Sequence, residues 1–588
     1  MGAQISQLPL THSGCPSALP IERFDHNKIA VEQDKGESSK MKDQNVEKPR
    51  KLKGILKCIL YCCLFPDNYE FEKETVVQLW VAEGFFEPEE GDRMEVLANS
   101  YFDYLIEKKY VSPCKFDYVR RSMKYKITDA IHHSLRDASL LGYRKVEEAQ
   151  LCSVSKHIQH LFLISKNINP SSFKILSRFE DLHTLFCQLG SSTGRVPQDL
   201  FYSVKQLRSL GLRRSSISEI PSCIGSLKYL RYLDVSETPI KYLPESIALL
   251  DNLQTLKLDG CLNLVRLPFD VSKLAKLRHL EFDILGRLSS MPVKMGNLTS
   301  LQTLRAFLVG REDGCRIEEL KYLNNISGSF CLSELQNVLT SHEAKEAAMT
   351  NKKYIRKLEL RWRHRGIGRP KAEEEILDCL QPDACLQELR ILRYSGSVFP
   401  DWINSSYLCN IVNITLYDCR NCLVLPSLGG LPLLKSLHII EVPLVGVIDS
   451  HFHRSYGNEV YHAFPKLEEL IIDGLHGLKE WSGVVNGDFP CLSVLVIRRC
   501  PNLVSLRWLS YLCSLKNLEI TDSGEISSLG NKELSSSLEF LSISNCPKLK
   551  EKYCKPKVSG WFSLSRTASG WFQIAHVPSI IIDLMWYR

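Results

Sequence analysis

The sequence predicts an α/β chain: a leucine-rich-repeat solenoid with parallel β-strands on its concave face, preceded by a small winged-helix domain. Three observations predict it. First, a hexad with aliphatic residues at positions 1, 4 and 6 recurs along the chain, typified by Leu230-Arg231-Tyr232-Leu233-Asp234-Val235. Second, its spacing is regular: it starts at Leu207, Leu230, Leu253, Leu277 and Leu301, in steps of 23, 23, 24 and 24 residues. It resumes at Ile355, Leu386, Ile411, Leu434, Leu467, Leu492, Leu515 and Leu538, with weaker copies at Ile158 and Leu182. Third, three helical patterns and two strand-like pieces stand upstream. A repeat of about 20–29 residues carrying LxxLxL is one short strand per solenoid turn.

Side chains alternate along a strand, so positions 4 and 6 point inward together, and one turn buries its apolar edge only by stacking on the next. The residue between them is expected to face solvent. That column reads Gly211, Asp234, Lys257, Glu281 and Arg305, then Glu359, Arg390, Thr415, His438, Ile471, Val496, Glu519 and Ser542. With Tyr232, the charged and imidazole members (Asp234, Lys257, Glu281, Arg305, Glu359, Arg390, His438, Glu519) form the candidate binding surface. So mixed a column suits protein recognition better than catalysis.

In chain order, residues 1–50 are polar, without apolar period, and are expected to be disordered. Met1-Gly2 with Ser6 fits a weak N-myristoylation pattern, and Cys15 is a possible second acylation site. The winged helix is assigned to 51–138. One helix runs from Leu52 to the stop at Pro66, a second from about Glu72 to Gly84, and a third carries Val96, Leu97, Tyr101, Tyr104 and Leu105. Strand-like pieces at Lys109–Pro113 and Lys124–Thr128 make the wing, and Asp129 caps a further helix. Residues 139–153 read as a linker helix, 154–552 as the solenoid with a helical insertion near 308–354, and 553–588 as a tail.

The 588 residues carry a net charge of +7, too dilute to argue for nucleic acid. Arg356, Lys357, Arg361, Arg363 and Arg365 cluster around Trp362, but Glu373-Glu374-Glu375 follows, so a solvated repeat edge is expected. No apolar run reaches membrane-spanning length, so no stable membrane insertion is expected. The 21 cysteines, without a secretory leader, point to a cytoplasmic or nuclear setting. Cys261, Cys419, Cys500 and Cys546 each sit three residues after a sixth position, the turn slot of the repeat. Neither the lone Cys419–Cys422 pair nor His451, His453 and His462 has zinc-ligand spacing, and no hydrolase, zincin or kinase motif occurs. No enzymatic activity is expected.

Leu56-Lys57-Cys58-Ile59-Leu60-Tyr61-Cys62-Cys63-Leu64-Phe65-Pro66-Asp67 and Leu79-Trp80-Val81-Ala82-Glu83-Gly84-Phe85 resemble the winged helix of plant intracellular nucleotide-binding, leucine-rich-repeat disease resistance proteins of the coiled-coil class. Tyr394-Ser395-Gly396 before Phe399-Pro400-Asp401-Trp402, and Gly570-Trp571-Phe572-Gln573-Ile574-Ala575-His576, carry the resemblance to the end. It implies recognition of a pathogen effector or a guarded host protein, with a full-length receptor as a possible partner in trans. It also implies ADP or ATP in a preceding ATPase module. That module's G-x-x-x-x-G-K-[ST] loop is absent from these 588 residues, so no cofactor is expected here. Where the family has Met-His-Asp, a nucleotide-sensing motif, this chain has Ile127-Thr128-Asp129. On this reading the chain is an N-terminally truncated receptor. The alternatives are a leucine-rich-repeat adaptor for a ubiquitin ligase, and a decoy or non-functional truncated receptor.

Overall fold

The computed structural model describes residues 54–588 except 87–92, 118–121, 135–141, 166–173, 190–195, 197, 284–285, 364–368, 405, 455–461, 531, 555–569, 584 and 588. Residues 1–50, with Gly2 and Cys15, lie outside the described residues, as does Arg365. Ile55–Arg588 form one compact unit.

Helix α1 (54–62), the short strand β1 (Phe71–Glu72), helices α2 (Lys73–Glu83) and α3 (Met94–Glu107), strands β2 (Val111–Asp117) and β3 (Ser122–Ile127), and helix α4 (Asp129–Ser134) build the expected winged helix. β1 pairs antiparallel with β3, and β3 with β2. α2 stops because Gly84, at φ +77°, turns left-handed and returns its N–H to Val81 O at 3.0 Å. Asp129, expected as the cap, is instead the first residue of α4, where a carboxylate suits the positive end of the helix.

The repeats then stack. Eight parallel strands run from Tyr143–Glu147 to Thr303–Leu304, and a second sheet of twelve runs from Ala306–Leu308 to Met585–Tyr587. The aliphatic hexad positions form the solenoid core: Leu230, Leu233 and Val235 in one turn, and Leu467, Leu470 and Ile472 in another, are all at 0% exposure. Cys261, Cys419, Cys500 and Cys546 are buried in the turn slot, and Cys261 donates its thiol to Val235 O at 3.1 Å.

Three expected boundaries change. The linker helix 139–153 is instead a strand, Tyr143–Glu147, that pairs with His160–Ser165 and starts the first sheet, followed by a 3-10 turn at Glu148–Ser153. The insertion near 308–354 contains a repeat strand of its own, Ser327–Ser333. Its aliphatic and aromatic core residues, Ile326, Phe330 and Leu332, are spaced 1-5-7 rather than 1-4-6, and its pairing register shifts at Gly328/Ser329, where Gly328 has φ +74°. Of the expected helical stretch, the short α-helix Ser341–Glu346, capped by Thr340, and the 3-10 turn Met349–Asn351 remain. The tail also joins the solenoid: Ser579–Ile582 pairs parallel with Phe540–Ser544, using Val577, Ile580 and Ile582 as one more hexad.

Candidate interaction surfaces

On the first sheet the concave face is covered. Nine of the eleven residues of α2, Thr75 through Glu83, are buried. The winged-helix core runs without a break into Phe162, Phe186 and Tyr232 of the repeats. Phe65 stacks on Phe186 at 5.7 Å between ring centres and meets Phe162 edge-on at 6.4 Å. Phe186 needs a glycine beside it, because a Cβ at Gly211 would lie 2.2 Å from its ring.

The C-terminal end of α2 is held by polar side chains of the repeats. Glu83 accepts from Thr184 Oγ1 at 2.6 Å and Ser209 Oγ at 2.5 Å. Arg208 donates to Glu83 O at 3.0 Å and Arg231 to Ala82 O at 3.2 Å, placing two cations at the negative end of the helix. Burial pushes the Glu83 carboxyl above its usual value, against the pull of the Ser209 and Thr184 hydroxyls. One turn back, Gln78 Nε2 donates to Glu281 Oε1 at 2.7 Å. Glu281 Oε2 also takes Lys257 at 2.9 Å and Arg305 at 3.0 Å, and Arg305 Nε lies 3.3 Å from Asp259. Burial, and then the neighbouring Glu281 charge, push Asp259 up to about 7.

α3 extends the contact. Glu95 accepts from Arg278 at 2.7 Å and from Gln302 at 3.1 Å, and lies 3.4 Å from His279 Nε2. Burial alone would raise Glu95, but the nearby His279 imidazole and the Arg278 guanidinium outweigh it and hold it at about 2. Arg93 reaches furthest along the solenoid, to Asn325 Oδ1 at 2.8 Å and over the Tyr354 ring at 3.8 Å.

The solvent-facing expectation therefore fails for four candidates. Tyr232, Asp234, Lys257 and Glu281 are 1%, 5%, 3% and 2% exposed, because the winged helix lies over them. Arg305, with 37% of its side chain exposed, stands at the margin of the cover. Phe162 and Phe186 occupy the same column and escaped the sequence reading, although the weaker hexads at Ile158 and Leu182 predict their place.

On the second sheet the same column is partly open. Glu359 pairs with Arg361 and with Arg390 at 2.7 Å, and the Arg390 side chain is 39% exposed. His438 sits 2.9 Å from Glu469 and 3.0 Å from Ser436. Glu519 takes both arms of Arg498, at 2.7 and 3.0 Å. Between these polar groups lie half-buried Ile440, Ile471 and Val494. The basic cluster is largely neutralised: Arg363 pairs with Glu334 at 2.9 Å, Lys357 with Glu388 at 3.4 Å, and Trp362 is core. His453 is also core, against Phe452, Phe464 and Phe489, where burial pushes it down to about 4.

The Thr128 hydroxyl is turned onto the carbonyl oxygens of Lys109 at 3.2 Å and Tyr110 at 3.3 Å, Ile127 is buried, and Asp129 opens α4. Among the described residues no group of three or more His, Cys, Asp or Glu is placed to hold a metal, and no helix is long and apolar enough to cross a membrane.

Residues 64–133 match the family described as disease resistance protein winged helix domain, and residues 317–442 the one described as R13L1/DRL21 LRRs. The second match runs through the unexpected strand Ser327–Ser333. The chain is similar to the putative disease resistance RPP13-like protein 1 of Arabidopsis thaliana, 34% identical over 494 residues, covering 80% of this chain and 46% of that protein. It is also similar to disease resistance protein RGA2 of Solanum bulbocastanum, 31% identical over 514 residues, covering 84% and 49%. The chain thus spans about half the length of these curated relatives.

Proposed function

From the premise that this chain carries the winged helix and leucine-rich repeats of plant disease resistance proteins, we propose that it is a non-catalytic immune-receptor chain with a divided solenoid. The winged helix occupies the first half of the concave face, as a regulatory contact within the chain. The second half recognises a pathogen effector or a guarded host protein. The observation that carries this reading is the difference in cover: Lys257 and Glu281 lie beneath α2, while Arg390, His438 and Glu519 of the same column reach solvent. The apolar centre at Ile440, Ile471 and Val494, rimmed by ion pairs, has the composition of a protein-binding patch.

The test is a two-hybrid screen of effectors and host proteins against the full chain, followed by surface swaps. Charge reversals at Arg390 and Glu519 are expected to abolish binding of a partner so found, and reversal at Lys257 in the same strand position to leave the open patch working. A partner that ignores the swaps at Arg390, His438 and Glu519 overturns the assignment. On this reading the chain itself holds no nucleotide, and calorimetry with ATP or ADP is expected to show no heat of binding; a micromolar affinity contradicts it.

A further inference from the structure

The turns that lead into the strands stack along one rim of the solenoid in strict register. In that register a side chain just before several hexads donates to the carbonyl two residues before the preceding hexad. Asn252 bonds Lys228 O at 2.9 Å and Asn325 bonds Thr299 O at 3.2 Å. The same link joins Asn410 to Ala384 O at 3.1 Å and Ser514 to Pro490 O at 2.6 Å.

Cysteines occupy this rim twice, with the same stagger. Glu388 pairs with Asn413, which sets Cys385 opposite Asn410 and next to Cys409 on the diagonal. Val494 pairs with Asn517, which sets Cys491 opposite Ser514 and next to Cys513 in the same way. All four are exposed. A strand spacing of about 4.8 Å and one residue's step along the chain put diagonal Cα atoms about 6 Å apart. Disulfides span Cα separations of about 4.4–6.8 Å. Side chains on this rim do meet across turns: Lys276 Nζ lies 2.7 Å from Asn252 Oδ1. The Asn410 amide that grips Ala384 is also 3.6 Å from Cys409 Sγ, so that thiol sits beside the neighbouring turn.

We propose that Cys385 with Cys409, and Cys491 with Cys513, are two oxidation sites, each closing into a disulfide that ties adjacent turns of the second half of the solenoid when hydrogen peroxide is present. One thiolate attacks the peroxide O–O bond, becoming a sulfenic acid as the other oxygen leaves as water. The second thiol displaces the sulfenic hydroxyl as a further water, so two thiols are oxidised and one peroxide is reduced. Interior cysteines stay out of this chemistry: Cys422 and the turn-slot Cys500 are buried, and burial pushes both thiols up to about 12.

The test is peroxide treatment of the full chain, alkylation of remaining thiols, and non-reducing tryptic mapping; Arg390 and Arg393 separate the first pair, and Arg498, Arg499 and Arg507 the second. Two cross-linked peptides are expected, 385 with 409 and 491 with 513. Cys409→Ser removes only the first and leaves Cys385 as a sulfinic acid or alkylated thiol, and Cys513→Ser removes only the second. Because the sites are exposed, unchanged circular dichroism is expected of both variants. Independent oxidation of all four thiols without cross-links, or links with other partners such as Cys114 or Cys152, overturns the proposal.

Discussion

The two halves of the concave face use one strand pattern for two purposes. In the first sheet, Asp234, Lys257 and Glu281 are closed in beneath α2; in the second, Glu359, Arg390, His438 and Glu519 keep water on one side. The covered half joins an aromatic cluster to polar anchors at Glu83, Gln78 and Glu95, some of them imperfectly satisfied: Glu83 Oε2 and Gln78 Oε1 are buried without a hydrogen-bond partner among the described residues. Buried polar atoms left unpaired weaken a contact. The lesson is that a solenoid column is not a binding surface by virtue of its position; what lies over it decides.

The largest expected effect comes from reversing the charge at the end of α2. Glu83→Lys sets an ammonium against Arg208 and Arg231 in a dry site, which is expected to cost about 3–5 kcal/mol of the contact. Hydrogen exchange should then quicken in Lys73–Glu83 and in the strands from Thr184 to Phe282, while strands Glu388–Leu392 and Asn517–Thr521 keep their protection. Equal loss in both halves breaks the comparison.

A smaller effect is expected from pH, with opposite signs at two anchors. Glu95 is held at about 2, so its contribution is full above the ordinary carboxylate value near 4.5 and is lost as pH falls toward 2. Asp259 is raised to about 7, so its contribution is present below its ordinary value near 3.8 and is lost as pH rises through 7. The covered half should be tightest at about pH 4, between those two ordinary values, read as α2 exchange protection. Asp259→Asn should flatten the loss on the alkaline side alone; an unchanged alkaline slope assigns it elsewhere.

The smallest effect belongs to the open half. Arg390→Ala and Glu519→Ala break half-exposed ion pairs and should each change stability by no more than about 1 kcal/mol in chemical denaturation. A change several times larger would mean that these side chains are held by something other than water and each other.

Most of this architecture is legible in the sequence because the hexad is enforced by a core every turn shares. The strand Ser327–Ser333 escaped because one extra residue between Ile326 and Phe330 breaks the spacing, and the final hexad at Val577 because it stands past a long break in the repeat. The cover over the first half was harder to read. Asp234, Lys257 and Glu281 look like any solvent-facing strand residues, and only the packed winged helix, whose Gln78 reaches Glu281, reveals that they are buried. One signal was available: Val76, Val77, Leu79, Trp80, Val81 and Ala82 give α2 an apolar surface too wide for one face, which marks a helix enclosed on several sides.

Amine labelling of lysines tests the divided face most directly. Lys257 has 4% of its side chain exposed, whereas Lys435 and Lys516, each immediately before a strand of the second half, have 51% and 57%. Under brief acylation of the native chain, Lys435 and Lys516 should react and Lys257 should not, and Glu83→Lys should make Lys257 reactive without changing the other two. Lys257 reacting in the native chain as fast as Lys516 would contradict the cover and, with it, the division of the solenoid.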